Sequence, residues 1–124
     1  MRKRLLLGAC AAALMLTGAV FAADTMPKTV IHVISVKWTA DATPAQIDKA
    51  LRGAEALPSK YPGIVHVWTR PIKKQLPEGY SHVIVMEFAS EDALKNYADS
   101  EAQKKWYEAY MPIREESRTS DITN

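Results

Sequence analysis

The sequence predicts an α+β domain whose elements follow the order strand, helix, strand, strand, helix, strand. Three observations lead to this prediction. Residues 30–38 alternate like a strand, two helical patterns each begin just after a capping residue, and a loop containing proline and glycine joins two further alternating segments. The 124 residues suit one such domain.

The first strand is expected at residues 30–38, where both faces are largely apolar. One face carries Val30, His32, Ile34, Val36 and Trp38, and the other carries Ile31, Val33, Ser35 and Lys37. A strand of this kind is expected to be covered on both sides. The chain predicts too few helices to cover both, so a second copy of the chain is the expected cover for the other face.

The first helix is expected to follow a short connection after this strand. Thr43 is a suitable cap and Pro44 a suitable first helical residue. Ile47, Leu51 and Ala54 then recur at helical spacing, which gives the helix an apolar stripe. The helix should end by residue 58, which is a proline.

The second and third strands are predicted at residues 64–70 and 80–88. A Tyr-Pro-Gly turn at 61–63 precedes the second strand. Residues 71–79 contain two prolines, a glycine and the pair Lys73-Lys74, so they are interpreted as a long hairpin loop.

The second helical region is predicted to begin after Ser90, with acidic residues in its first turn. Leu94, Tyr97 and Ala98 form its buried stripe. The helical pattern resumes over residues 103–110 until Pro112 interrupts it. Residues 116–123 are polar and are predicted to form an edge strand.

This order is that of a ferredoxin-like sheet, and it predicts a strand register. Right-handed crossovers are expected to place the first and third strands side by side and parallel. If these strands align at His32 and His82, Lys37 and Glu87 become neighbours on the opposite face. Two ionisable groups on a covered face need each other, so Lys37 and Glu87 are predicted to pair at a subunit interface.

The first 22 residues have the features of a bacterial signal peptide. Arg2, Lys3 and Arg4 precede an apolar run at residues 5–21, and cleavage is expected after Ala22. Residues 23–29 are then a tether, and the mature protein is expected to be periplasmic or secreted. A retained membrane anchor and lipidation at Cys10, which follows Leu7-Gly8-Ala9, are the alternatives.

Removal of the leader changes the charge and the cysteine content. The mature chain has thirteen basic and fourteen acidic residues, a net charge of −1, and no cysteine. It can form no disulfide. It has no basic patch with interleaved aromatic residues, so nucleic acid is not an expected partner, and neither is a membrane once the leader is cleaved.

Short motifs in the chain resemble one known family. They are HVISVKW at 32–38, YPGI at 61–64, GYSH at 79–82, Phe88 with Leu94 and Tyr97, and Asp121. In this order and spacing they resemble the stress-responsive A/B barrel (Dabb) domains, over residues 30–123. The resemblance implies a ferredoxin-like βαββαβ sandwich whose sheet joins that of a second subunit in a dimeric α+β barrel.

The resemblance also implies site residues, through a plant polyketide cyclase similar to this family that uses a tyrosine and a histidine. The tyrosine corresponds to Tyr97, and supporting histidines correspond to His32 and His82. The cyclase's catalytic histidine corresponds to Gln103, whose amide cannot act as a base near neutral pH. A second tyrosine corresponds to Ala54, and the usual His-Pro reads Ser-Glu at 100–101.

These residues predict a pocket between the sheet and the helices. Tyr97, His82 and His32 are candidates for acid–base groups, and the pocket is expected to be lined by Ile34, Val36, Ala54, Ile84 and Gln103. Alternatively, the imidazoles are satisfied groups in a packed core. A metal bound by both histidines with His66 or Glu101 is a third interpretation, but no close pair of ligands supports it, so no metal or cofactor is expected.

Three functions follow as hypotheses. The first is an exported homodimer that binds a small hydrophobic or aromatic ligand or serves a stress-related role. The second is a cofactor-independent enzyme, either a cyclase, a lyase or a monooxygenase, which uses Tyr97 with His32 or His82. The third is a purely structural dimer module. An enzyme would need a cavity that reaches solvent and is open to Tyr97 and at least one imidazole.

Overall fold

The computed structural model describes residues 28–123. The predicted leader, Cys10 and most of the tether lie outside this range. The strands are β1 (Val30–Trp38), β2 (Ile64–Pro71), β3 (His82–Phe88) and β4 (Arg114–Thr123). The helices are α1 (Pro44–Glu55), α2 (Leu57–Lys60), α3 (Glu91–Tyr97) and α4 (Glu101–Tyr110), and a 3₁₀ turn at Met111–Ile113 leads into β4.

The four strands form one sheet in the order β2-β3-β1-β4, with every neighbouring pair antiparallel. The helices lie on one face of this sheet. This arrangement confirms the predicted α+β, ferredoxin-like fold. The last strand begins two residues earlier than predicted, and the third begins two residues later.

The predicted direction of the central strands was wrong, because β1 and β3 are antiparallel. The α1–α2 connection brings β2 back parallel to β1, and the hairpin between β2 and β3 then reverses the chain. Since β3 lies between β2 and β1, it runs against both. The prediction overlooked the reversal at the hairpin.

The predicted register fails with it. His32 lies opposite Met86, and His82 lies opposite Val36, so the two histidines share the helix-covered face at opposite ends of the strands. Lys37 and Glu87 are not neighbours. Lys37 makes an ion pair of 3.4 Å with Glu115, and Glu87 lies opposite Ile31.

Helix α1 begins with the predicted cap. The Thr43 hydroxyl accepts a bond from the Gln46 backbone, and the Gln46 side chain accepts one from the Thr43 backbone, a reciprocal capping box. Helix α1 ends before Pro58, but Pro58 sits in the first turn of α2, where its missing N–H is harmless. Helix α4 packs on α1, and the Trp106 indole donates to the carbonyl of Ala50 at 2.9 Å.

The core fills the space between the sheet and the helices. Its largest fully buried side chains are Tyr110, Phe88, Leu57, Ile64, Ile84, Met86 and Val36. Within residues 28–123, no helix is long and apolar enough to cross a membrane.

The opposite side of the sheet, called the outer face below, is not covered by any described element. Its apolar residues are Ile31, Val33, Trp68, Val83, Val85 and Ile122, as the strand pairings place them. Trp68 is 42% exposed and Ile122 is 59% exposed. The single chain therefore covers one face of β1 and leaves the other half-exposed.

Candidate functional site

A cavity of about 210 Å³ lies between the sheet and the α3–α4 region. Strands β1, β3 and β4 form its floor. Its wall consists of His32, Ile34, Met86, Leu94, Tyr97, Ala98, Gln103, Trp106, Tyr107, Tyr110, Arg114, Ser117 and Thr119. Because Ala98 and Thr119 are exposed residues, the cavity has a rim at the protein surface.

His32 lies in the cavity wall and is held by a carboxylate. Its Nδ1 atom is 2.5 Å from Oδ1 of Asp121, which lies directly opposite on β4. An ionised carboxylate accepts from an Nδ1–H, which leaves the Nε2 atom with a free lone pair. The edge of the His32 ring also contacts Phe88, with ring centroids 5.8 Å apart. The carboxylate and the phenyl ring together fix the orientation of the imidazole.

Tyr97 lies in the same wall at the end of α3. Phe88 is also its neighbour, at 5.3 Å between ring centroids, so one phenyl ring contacts both Tyr97 and His32. The Tyr97 hydroxyl is buried and has no hydrogen-bond partner among residues 28–123. Burial, with a smaller effect of Tyr107, raises the pKa of Tyr97, so the group is a neutral phenol at physiological pH.

Gln103 bonds helix α4 to the turn between α3 and α4 at the cavity wall. Its Oε1 atom accepts from the backbone N–H of Asp99 at 2.7 Å, and its Nε2 atom donates to the Tyr107 hydroxyl at 3.2 Å. Asp99 has the left-handed φ of 62° that turns the chain between α3 and α4. The amide therefore has a positioning role at this joint.

Arg114 adds a positive charge to the wall. Its guanidinium lies 5.6 Å from the centroid of the Tyr110 ring, and its Nη1 atom is 3.4 Å from the Ser117 hydroxyl. Burial raises the pKa of Tyr110, and the arginine opposes that shift. Both groups that contact this cation, the Tyr110 ring and the Ser117 hydroxyl, are neutral.

His82 does not line this cavity, although it lies on the same face of the sheet. Its Nδ1 atom accepts from the Trp38 indole N–H at 2.9 Å, and the Ser81 hydroxyl lies at the same distance. Burial lowers the pKa of His82, which favours the neutral ring. His82 is four residues along the strand from the position opposite His32, roughly 13 Å away at 3.3 Å per residue.

The other predicted pocket residues divide into two groups. Ile34 and Gln103 line the cavity. Val36, Ala54 and Ile84 have no exposed surface and belong to the packed core.

Lys37 and Glu87 both lie on the outer face, where neither contacts the cavity. Glu87 accepts a 2.7 Å bond from His66, whose ring stacks on Trp68. Among the described residues, no group of three or more histidines, cysteines or carboxylates is arranged to hold a metal.

Sequence reasoning used Asp121 only in the family resemblance and gave no site role to it or to Arg114, the two charged residues that β4 brings to this site. A signal for Asp121 was present, since Ser117, Thr119 and Asp121 share one parity. Arg114 has the other parity, and a bulge at Glu115 turns it to the same side, because Arg114 pairs with Trp38 and Glu116 with Lys37.

The arrangement has defined chemical capacities. The imidazole has one free nitrogen, the phenol can donate a proton in a hydrogen bond, and the guanidinium can bind an anion. Apolar side chains of β1, β3, α3 and α4 provide most of the rest of the wall, together with the polar side chains of Gln103, Ser117 and Thr119. Such a cavity suits a small apolar molecule with one or two oxygen functions.

Comparison with solved structures shows the same fold in proteins of low sequence identity. A hydroxynitrile lyase from Passiflora edulis superposes with a TM-score of 0.71 at 16% identity, over 79% of this chain and 94% of that one. A dimeric ferredoxin-like protein from Thermobifida fusca superposes with a TM-score of 0.67 at 15% identity, over 78% of this chain and 92% of that one. A Dabb family protein from Mesorhizobium loti superposes with a TM-score of 0.64 at 18% identity, over 77% of this chain and 95% of that one.

The sequence itself identifies the family. Among proteins with curated descriptions, none matches this chain. The family model of the stress responsive A/B barrel domain, Dabb, matches residues 30–124, which is most of the chain. The fold described above agrees with that match, and the chain belongs to the stress responsive A/B barrel domain family.

Proposed function

We propose that this protein is an exported homodimer in which each subunit binds a small hydrophobic or aromatic ligand in the cavity between the sheet and the α3–α4 region. The observation that carries the proposal is a surface-connected cavity with an unpartnered phenol and a carboxylate-held imidazole in its wall. A buried hydroxyl without a partner is unfavourable. A ligand oxygen that reaches Tyr97 would supply the missing bond.

The size of the cavity limits the ligand. A cavity of roughly 150 Å³ can hold benzene. The cavity of about 210 Å³ therefore has room for one six-membered ring with a short substituent. Ile34, Met86 and Leu94 would contact the ring, and the polar groups would select its substituent.

The outer face supports the homodimer. It presents apolar residues of all four strands, and a row of exposed apolar side chains on one sheet face is typical of an interface. The neighbour from Thermobifida fusca is itself described as dimeric. Two outer faces packed together would cover the second side of β1 and close the sheets into a barrel.

The proposed location outside the cytoplasm rests on residues 1–22 of the sequence. Their basic start, apolar run and Val-Phe-Ala ending are typical of a cleaved export signal. Mass spectrometry of the protein recovered from the periplasm should give a chain that begins at Ala23. A cytoplasmic chain that still begins at Met1 would contradict export.

Ligand binding is tested on the mature protein with a set of monocyclic aromatic acids, amides, aldehydes and alcohols. We expect at least one class to raise the melting temperature of the wild type, because a ligand that binds only the folded state stabilises it. Ala98→Trp places a bulky ring at the rim and should abolish that rise. Ala45→Trp, at an exposed position of α1, is the matched control and should keep it.

The outcome decides between binding and a structural role. If no compound raises the melting temperature, or if Ala98→Trp responds like Ala45→Trp, the cavity is not a ligand site. A dimer that forms normally and binds nothing would then support the structural module.

A second candidate is a cofactor-independent enzyme, and the His32–Asp121 pair favours it. A carboxylate that fixes one imidazole nitrogen leaves the other available as a general base, and the neutral Tyr97 phenol can donate a hydrogen bond to a carbonyl oxygen. In lyase chemistry of this kind, His32 would take the hydroxyl proton of a cyanohydrin as the carbon–cyanide bond breaks and would pass that proton to the leaving cyanide, which yields an aldehyde and hydrogen cyanide.

The enzyme hypothesis is tested with benzaldehyde cyanohydrin and followed as release of benzaldehyde. Wild type should exceed the buffer rate, and both His32→Gln and Asp121→Asn should lower kcat by about a hundredfold or more if His32 is the base. Turnover that survives His32→Gln would exclude this mechanism, and no turnover by wild type would exclude this substrate class.

A further inference from the structure

Arg114 is the cation of the cavity wall, and it has no anionic partner among the described residues. Its recorded contacts are the Ser117 hydroxyl and the face of the Tyr110 ring. Both are neutral. Half-buried arginines usually pair with a carboxylate, because a guanidinium loses hydration when it is enclosed.

The other arginine of β4 shows the usual pattern. Arg118 lies at the surface, within 3.7 Å of Glu78 and 3.8 Å of Glu116, and its guanidinium packs over the Tyr80 ring. Both arginines therefore stack on a tyrosine, but only Arg118 has carboxylates beside it. The difference lies in the face of the strand, since Arg114 is turned toward the cavity by the bulge and Arg118 lies opposite Ser35 on the outer face.

The position of Arg114 gives the cavity a polarity. Arg114 pairs with Trp38, and Asp121 pairs with His32, six residues earlier on β1. The guanidinium thus lies in the wall near the start of β4, and the imidazole lies near the other end of that strand, opposite Asp121. Ile34 lies between these two levels on β1, and Met86 lies opposite His32 on β3. A ligand with an anion at one end and an apolar body would match this order.

We propose that the ligand of this cavity is a small monocarboxylate with a single ring or a short branched chain, and that Arg114 binds its carboxylate. This inference rests on the proposed ligand-binding function and names the ligand class. The planar guanidinium can donate two parallel N–H bonds to a carboxylate, which a neutral amide cannot match.

The test compares acids with their primary amides, which have nearly the same shape. Benzoate with benzamide, and phenylacetate with phenylacetamide, are titrated into the mature wild type by calorimetry. A hydrogen-bonded charge pair is worth about 1.5 to 3 kcal/mol, so each acid should bind roughly 10-fold to 100-fold more tightly than its amide. Arg114→Gln should remove this preference, and Arg118→Gln should leave it intact.

An NMR measurement on the wild type keeps the test independent of the variants' folding. The Arg114 Nε–Hε resonance, assigned by its absence in Arg114→Lys, should shift on addition of benzoate and stay in place with benzamide. Equal affinity for acid and amide, or a benzoate titration that leaves this resonance unmoved, would overturn the carboxylate assignment while cavity binding itself stands. Failure of both members of every pair to bind would overturn the assignment, and failure across the wider screen would overturn the cavity function as well.

Discussion

At the scale of one residue, Tyr97 differs from its neighbour Tyr61 in the bonding of its hydroxyl group. Tyr61 and Tyr97 pack edge to face with ring centroids 5.5 Å apart, but the Tyr61 hydroxyl donates to the Ala93 carbonyl at 2.7 Å and the Tyr97 hydroxyl donates to no described group. A fold that needed only the ring of Tyr97 would be equally well served by phenylalanine.

We therefore expect opposite results from two matched substitutions. Tyr97→Phe removes an unsatisfied hydroxyl and should leave the free energy of unfolding unchanged or raise it by up to about 1 kcal/mol, whereas Tyr61→Phe loses a bond and should lower it by about 1 kcal/mol. Urea unfolding of both variants in the absence of ligand provides the measurement. A larger loss for Tyr97→Phe than for Tyr61→Phe would mean that the Tyr97 hydroxyl already has a partner.

The burial of His82 predicts that the free energy of unfolding depends on pH with a definite sign. Burial lowers its pKa in the folded protein below the usual 6.5, so the unfolded chain takes up a proton first as the pH falls. Protonation of Nδ1 would also set two N–H groups against each other, since Nδ1 accepts from the Trp38 indole. The free energy of unfolding should therefore decrease below about pH 6.5 and lose this dependence above it.

The measurement compares wild type with His82→Asn, whose amide oxygen can still accept from Trp38. Chemical unfolding at about pH 7.5 and about pH 5.5 gives the change in stability for each protein. The change should be smaller in the variant. An equal change would show that His82 does not contribute to the acid sensitivity.

At the scale of elements, local sequence signals predicted the strands, the first helix and its cap, because each depends on residues within a few positions. The direction of β3 depends on the hairpin that reverses the chain after β2. The face on which Arg114 lies depends on a bulge that adds one residue to β4. Hydrophobic alternation does not encode either feature. In the structure Ile34, Tyr97 and His32 lie in the cavity wall and His82 lies outside it, because the reversed direction of β3 carries His82 toward the other end of β1.

The α3–α4 joint has a prediction of its own. Gln103→Leu removes both the acceptor for the Asp99 N–H and the donor to Tyr107, and should lower the free energy of unfolding by about 1 to 2 kcal/mol. Gln103→Glu keeps the acceptor and should lose less. Hydrogen exchange at the Asp99 amide should be faster in the leucine variant and slow in the glutamate variant. Fast exchange already in wild type would disprove the bond between the Asp99 N–H and the Gln103 side chain.

At the scale of the whole molecule, one face of the sheet is covered by helices and the other face is not. The helix-covered face contains the core and the cavity, and it is complete within one chain. The outer face leaves Trp68 and Ile122 exposed, and most of its charged residues bond within the subunit: His66 with Glu87, Lys37 with Glu115, and Arg118 with Glu78 and Glu116. Arg70, which lies opposite Val83, has no carboxylate partner among the described residues. An apolar surface with few unpaired charges is well suited to pack against a copy of itself.

Packing of the outer face against a copy of itself leads to a direct prediction about the mass of the protein in solution. The mature wild type should be a dimer at micromolar concentration by light scattering, and Trp68→Lys should be a folded monomer, because a dry interface penalises an unpaired ammonium strongly. Met111→Lys is the matched control. The exposure of Met111, 39%, is close to the 42% of Trp68, but Met111 lies after α4, on the helix side. Met111→Lys should remain dimeric. A monomeric wild type, or a Trp68→Lys variant as dimeric as the control, would show that the outer face is not where two chains meet, and circular dichroism of the monomer would show whether each subunit's sandwich folds without its partner.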